Sequence, residues 1–183
     1  MGDLTERLNA WSQGAWAPLW VWLGSSAAGP WLGVLVVLVI CTRVYLSVRV
    51  AKGRAATLDG ILRRAASALL AAALAVAISD PLCSRVLKPL FAEPRPCQIG
   101  VTEVPPPLPC GSGMSMPSSH ASNSGAVAAA IQSPVLAVVA GLIGVSRVVD
   151  GQHWPGDILA GWSVGAFLGI TMRRLTDRIL KTG

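Results

Sequence analysis

Apolar residues fall into long runs separated by short polar or basic turns, and no charged residue occurs between Leu8 and Thr42. The first segment, Leu4 to Leu23, sets Leu4, Leu8, Trp11, Ala15, Leu19 and Trp22 at helical spacing, with Asp3, Glu6, Arg7, Ser12 and Gln13 largely elsewhere. Trp11, Trp16, Trp20 and Trp22 suit the boundary between hydrocarbon and headgroups. The uncharged part is short of the ~20 residues a crossing takes. The pattern predicts an amphipathic interfacial helix within residues 1–24, with a short sixth span as the alternative. Five spans follow: Trp31 to Leu46, Leu58 to Ile78, Ser119 to Ser133, Val135 to Val145 and Pro155 to Met172. Asp80-Pro81 is expected to end the second, because the residue before proline is pushed out of helix. The Pro- and Gly-rich residues 94–117 read as a loop. Gly161, Gly165 and Gly169 recur at every fourth position, the spacing of close helix packing in lipid. The fold class is an all-α transmembrane bundle, one domain over residues 1–183.

Composition sharpens this. Of 183 residues, 52% are hydrophobic and 13% charged, against about 25% charged in soluble domains. That excludes disorder, a nucleic-acid-binding domain and an ordinary cytosolic enzyme. The net charge of +6 belongs to topology instead. Arg43, Arg49, Lys52, Arg54, Arg63 and Arg64 flank one turn, and Arg173, Arg174, Arg178 and Lys181 close the chain, as cytoplasmic ends do. The 94–117 loop and the 146–157 turn then face the other side. No cleavable signal peptide is expected, since Asp3 and Glu6 stand where basic residues belong. Cys41 and Cys83 read as buried small apolar residues. Cys97 and Cys110 bracket the loop on the oxidising side, where a disulfide is expected.

The remaining polar residues gather at that same face in three stretches: Lys88 to Pro96, Pro117 to His120, and Ser146 to Asp157. Singly, Lys88 or Arg95 is an ordinary snorkelling residue, Ser118-Ser119 an N-cap, and His153 with Asp157 a structural hydrogen bond. Together they set three cations, Lys88, Arg95 and Arg147, at one face with no matching carboxylate cluster. Such a set suits a multivalent anion, and phosphate above all. Ser118 and Ser119 add donors at a helix start. Asp157, four residues past His153, can hold one imidazole nitrogen and present the other. His120 remains as a second imidazole able to donate a proton. Glu93, Glu103 and Asp150 read as solvated loop charges, and Asp80 as a helix-ending residue.

The pattern K-x6-R-P, P-S-x-H and S-R-x5-H-x3-D resembles the three-part signature of the type 2 phosphatidic acid phosphatase superfamily, with Ser119 where its members usually read glycine. The resemblance covers about Leu82 to Gly169 and implies a metal-independent lipid phosphatase without cofactor. It implies His153 as nucleophile, Asp157 as its orienting partner and His120 as acid and then base. Lys88, Arg95, Ser118 and Arg147 would bind the phosphoryl oxygens, with the Ser119 amide helping. Expected partners are the bilayer and a lipid substrate, with no nucleic acid. The lipid would be undecaprenyl pyrophosphate, phosphatidic acid or phosphatidylglycerophosphate, or alternatively lipid A, at the outer face of a bacterial-type inner membrane. A haloperoxidase and a non-catalytic scramblase or scaffold are the competing readings.

Overall fold

The computed structural model describes residues 2–12, 17–25, 28–51, 58–103 and 109–180. Its described residues are helical with no strand. They form α1 (Gly2–Ser12), α2 (Ala17–Gly24), α3 (Ala28–Ala51), α4 (Leu58–Pro81), α5 (Lys88–Phe91), α6 (Ser119–Ile131), α7 (Pro134–Val149) and α8 (Pro155–Ile179). Within the segment read as one interfacial helix, the described residues form α1 and α2. Ala15, Trp16, Lys52, Arg54 and Lys181 lie outside the described residues.

The bundle is packed inside out by the standard of a water-soluble protein. Many of its buried residues are small: Ala71, Ala75, Ala121, Ala126 and Ala130 are wholly enclosed, beside Ser67, Ser79 and Ser122, with Ile131, Leu136 and Val149 among the few large ones. The large apolar side chains, among them Val37, Leu38, Leu70, Val138, Leu159 and Phe167, stand exposed on the outside. Water would not tolerate that shell, whereas hydrocarbon would, leaving close contact of small residues to hold the helices together. Two stretches are long and apolar enough to cross a membrane, Pro30–Arg49 and one within Leu58–Ile99, of mean hydropathy 2.2 and 1.8.

The tightest contact is between α6 and α8. A Cβ on Gly161, Gly165 or Gly169 would run into the carbonyl oxygen of Ser118, Ser122 or Ala126 respectively. The three glycines therefore let two backbones touch along two turns. At the top of that seam the Ser118 amide donates to the Asp157 carbonyl at 3.0 Å. At the bottom Arg173 donates to the Ala130 carbonyl at 3.2 Å and Arg43, from α3, to the carbonyls of Ile131 and Gln132 at 2.6 Å each. Ser67 on α4 joins Thr176 and Asp177 on α8 at 2.9 and 2.6 Å.

Four expectations change. The second span does not end at Asp80-Pro81. Helix runs through Pro81, widens into a π-turn over Leu82–Leu87 and continues as α5. The ring removes one N–H, and the wider turn accommodates it, while Ser84 Oγ donates to the Asp80 carbonyl at 2.8 Å. Helix stops only at Ala92, in the left-handed region with φ 49°. Second, α7 extends four residues past Val145, so Ser146 and Arg147 sit in a helical turn. Third, α8 runs to Ile179, past the expected Met172. Fourth, Cys83 is buried but Cys41 is exposed, because most of α3 faces outward.

Gly165→Ala is expected to cost about 1–3 kcal/mol by overpacking and to lower the thermal midpoint in detergent. Gly141→Ala, with nothing near its added methyl, serves as the comparison and should be neutral or stabilising. Equal midpoints for the two variants would refute the α6–α8 contact.

Candidate functional site

The three polar stretches converge because α5, the start of α6 and the α7–α8 turn all emerge at one end of the bundle. Pro155 opens α8, and Asp157, in its first turn, reaches back so that Oδ2 accepts the Trp154 amide at 2.7 Å. The same oxygen accepts from His153 Nδ1 at 3.1 Å. Arg95 lies on the far side of the ring, with Nη1 3.1 Å from Nε2. An arginine can only donate, so Nε2 carries the lone pair and the proton sits on Nδ1. His153 is 2% exposed and Asp157 wholly buried. Burial drives the His153 pKa down to about 3, Arg95 and Lys88 acting in the same sense and Asp157 against. The imidazole is therefore a neutral base with its lone pair aimed at a cation.

Arg95 is held by carbonyls rather than carboxylates. Its Nε donates to Gly113 at 2.8 Å and its Nη1 to the Gln152 carbonyl at 3.0 Å. Gln98 fastens the same loop, accepting the Arg95 amide at 3.0 Å and donating to the Gly111 carbonyl at 2.7 Å. A Cβ at Gly111 would strike the guanidinium at 2.8 Å, so glycine lets the loop close over Arg95. Cys97 and Cys110 are joined by a disulfide around this loop. Carbonyls fix the guanidinium without cancelling its charge, which stays available to an anion.

Arg147 is buried in the last turn of α7, with Nη1 3.5 Å from Asp150 Oδ2. Asp150, read from sequence as a solvated charge, is wholly buried, because the loop and α1 cover the end of α7. Burial raises its pKa to about 7, outweighing the opposite pull of Arg147. Asn9 supplies the cover from α1, donating to the carbonyls of Val149 and Glu103 at 2.8 Å each and accepting the Glu103 amide at 3.1 Å. Lys88 is half-buried on α5. Ser118 is the N-cap of α6, its side chain accepting the Ala121 amide at 3.4 Å. Ser119 and His120 form the next two positions and line a separate cavity. Among the described residues no side-chain hydrogen bond ties His120 to His153 or Asp157.

Three contributors escaped sequence reading. Ser115, wholly buried, donates its hydroxyl to Asp157 Oδ2 and lies 3.3 Å from His153 Nδ1. Gln152 is 3% exposed and donates to the Pro109 carbonyl at 2.8 Å while accepting the Gly111 amide at 3.0 Å. Asn9 is the third. None carries a local signal: a serine in a Gly-Met-Pro loop and a glutamine before a histidine are ordinary surface residues until the loop folds over them. Among the described residues no group of three His, Cys, Asp or Glu side chains could hold a metal ion.

The family model of the PAP2 superfamily matches residues 64–181 of the chain. Among curated proteins and solved structures nothing matches it.

The His153 pKa has a direct consequence for stability. Below the ordinary value of 6.5 the unfolded chain takes up a proton that the folded site refuses down to about 3. His153's share of stability is thus complete above pH 6.5 and declines as pH falls through that window. An NMR titration of ring nitrogens in the substrate-free protein should find His153 neutral at pH 5. A protonated ring at that pH would contradict the burial argument.

Proposed function

The chain belongs to the PAP2 superfamily, and from that premise we propose that it is an integral-membrane lipid phosphatase working through a phosphohistidine on His153. Members of that superfamily are phosphatases acting on phosphate esters, often those of lipids, and generally need no metal. The observation that carries the reading is the buried His153, neutral, with Nδ1 held by Asp157 and Nε2 facing the guanidinium of Arg95.

In this mechanism a phosphoryl oxygen takes the place beside Arg95 Nη1, and phosphorus comes within reach of Nε2. Nε2 attacks, the bond from phosphorus to the leaving oxygen breaks, and His120 gives that oxygen a proton. Asp157 balances the positive charge that appears on the ring. Water then attacks phosphorus, His120 takes its proton, and the N–P bond breaks to free phosphate. Lys88, Arg95, Arg147, the Ser118 hydroxyl and the Ser119 amide stabilise the equatorial oxygens. Ser115 positions the base: its hydroxyl gives Asp157 Oδ2 a third donor, which keeps the carboxylate turned toward His153.

Five spans, α3, α4, α6, α7 and α8, follow from this reading, with α1 and α2 lying at the active-site face. The basic residues Arg43, Arg49, Arg63, Arg64, Arg173, Arg174 and Arg178 then mark the cytoplasmic side, and the site opens on the exterior of a bacterial-type inner membrane. The disulfide agrees with an oxidising compartment there. The exposed apolar shell favours a substrate that itself resides in the bilayer: a lipid phosphomonoester or pyrophosphate such as phosphatidylglycerophosphate, phosphatidic acid or undecaprenyl pyrophosphate.

Purified protein in detergent with EDTA should release phosphate from such a lipid. His153→Ala should lower the rate by at least about 10³-fold. Loss of activity on chelation and rescue by Mg²⁺ would reject the metal-free mechanism, and equal rates for wild type and His153→Ala would reject the phosphohistidine. Ser115→Ala should lower kcat about tenfold with little change in KM. It should also shift the pH profile of kcat, since His153 would lose the hydroxyl 3.3 Å from its Nδ1; an unmoved profile would reduce Ser115 to packing.

A further inference from the structure

Beside the phosphate site runs a cavity of about 360 Å³, bounded by α2, α3, α4, α6 and α7. Its lining joins the apolar Leu32, Val76 and Val127 to the polar His120, Asn123 and Asp80. Asn123 stands one helical turn after His120 and donates from Nδ2 to Asp80 Oδ1 at 3.0 Å. A carboxylate is thereby fixed one turn from the imidazole. Asp80 is exposed at the end of α4, and among the described residues the cavity wall includes no lysine or arginine. Lys88, Arg95 and Arg147, the cations of the phosphate site, are not part of its lining.

The proton that His120 delivers goes to the leaving oxygen, so the leaving group lies on the His120 side, toward this cavity. Its charge then decides how well it fits. A phosphomonoester releases a neutral alcohol, the electrons of the broken P–O bond staying on oxygen and the proton coming from His120. A lipid diphosphate releases a lipid phosphate, an anion that would sit against Asp80 once His120 has given up its proton, with no lysine or arginine on the wall. Repulsion of that kind, at a partly screened boundary, is strong enough to decide between substrates. The Asp80 carboxylate also offers an acceptor to a hydroxyl on the leaving alcohol, while the apolar wall suits the hydrocarbon beyond it.

Resting on the phosphatase reading above, we infer that this cavity is the leaving-group site and that Asp80 selects lipid phosphomonoesters with a hydroxylated leaving alcohol against lipid diphosphates. The test is kcat/KM in mixed micelles for phosphatidylglycerophosphate, phosphatidic acid and undecaprenyl pyrophosphate, on wild type, Asp80→Asn, Asp80→Glu and His153→Ala. Wild type should favour phosphatidylglycerophosphate, with phosphatidic acid intermediate and the diphosphate poorest. Asp80→Asn keeps an acceptor for Asn123 but loses the charge, and should narrow the monoester-to-diphosphate ratio about tenfold; Asp80→Glu should retain it. An unchanged ratio in an active Asp80→Asn protein, or a wild-type preference for the diphosphate, overturns the selectivity and leaves the phosphatase standing. Equal rates on the two monoesters would remove the hydroxyl contact. No hydrolysis of any of the three by wild type, matching His153→Ala, would overturn both readings. Should a variant fail to fold, the wild-type order decides alone.

Discussion

Everything at the site depends on how closely α6 and α8 approach. Three glycines at successive helical turns bring the α8 backbone against the carbonyls of Ser118, Ser122 and Ala126. At the head of that seam the Ser118 amide is bonded to the Asp157 carbonyl. Ser118 and His120 belong to one helix start, and His153 and Asp157 to the other. Their relative placement is therefore set by backbone contact, which has few ways to relax, rather than by flexible side chains. In lipid, where apolar burial gives helices little reason to associate, close contact of small residues is the available attraction. The geometry and the stability of the bundle share one cause.

A second constraint is how positive charge is held at that end. Arg95 is fixed by the carbonyls of Gly113 and Gln152, so its orientation is secured while its charge is left for a ligand. Arg147 is treated differently: Asp150 stands 3.5 Å away, and burial pushes that carboxyl toward its neutral form. Both devices keep the site short of negative charge of its own. Asp157 is one exception, with Glu93 half-buried beside it rather than solvated as its sequence suggests; the Asp157 Oδ2 is occupied by the Trp154 amide, the His153 ring and the Ser115 hydroxyl. That carboxylate serves the imidazole rather than competing for the arginines. The disulfide, Gln98 and Asn9 act one step back, holding the covering loop on which Arg95 and Ser115 depend.

The helices and the order of the site residues were legible along the chain, because span periodicity and helix starts are local properties. Boundaries were less so. Arg147 was expected in a turn and lies in helix, since nothing after Val145 breaks the pattern until Gly151, whose φ of 70° suits glycine. Pro81 was expected to stop a helix that a π-turn carries on to Phe91. Asp150 was expected in water, yet α1 and the loop bury it.

By itself the sequence determined the helical class, the basic ends, the small-residue seam and the polar groups that gather at one end of the bundle, because each follows from residue type and spacing. Tertiary structure alone decided that Ser115 and Gln152 join the site, that Asn9 closes it from the other end of the chain, and that Asp80 faces the same cavity as His120. Those contacts join residues dozens of positions apart, and a hydrogen bond across such a distance leaves no mark in local pattern. It exists only once the helices have packed.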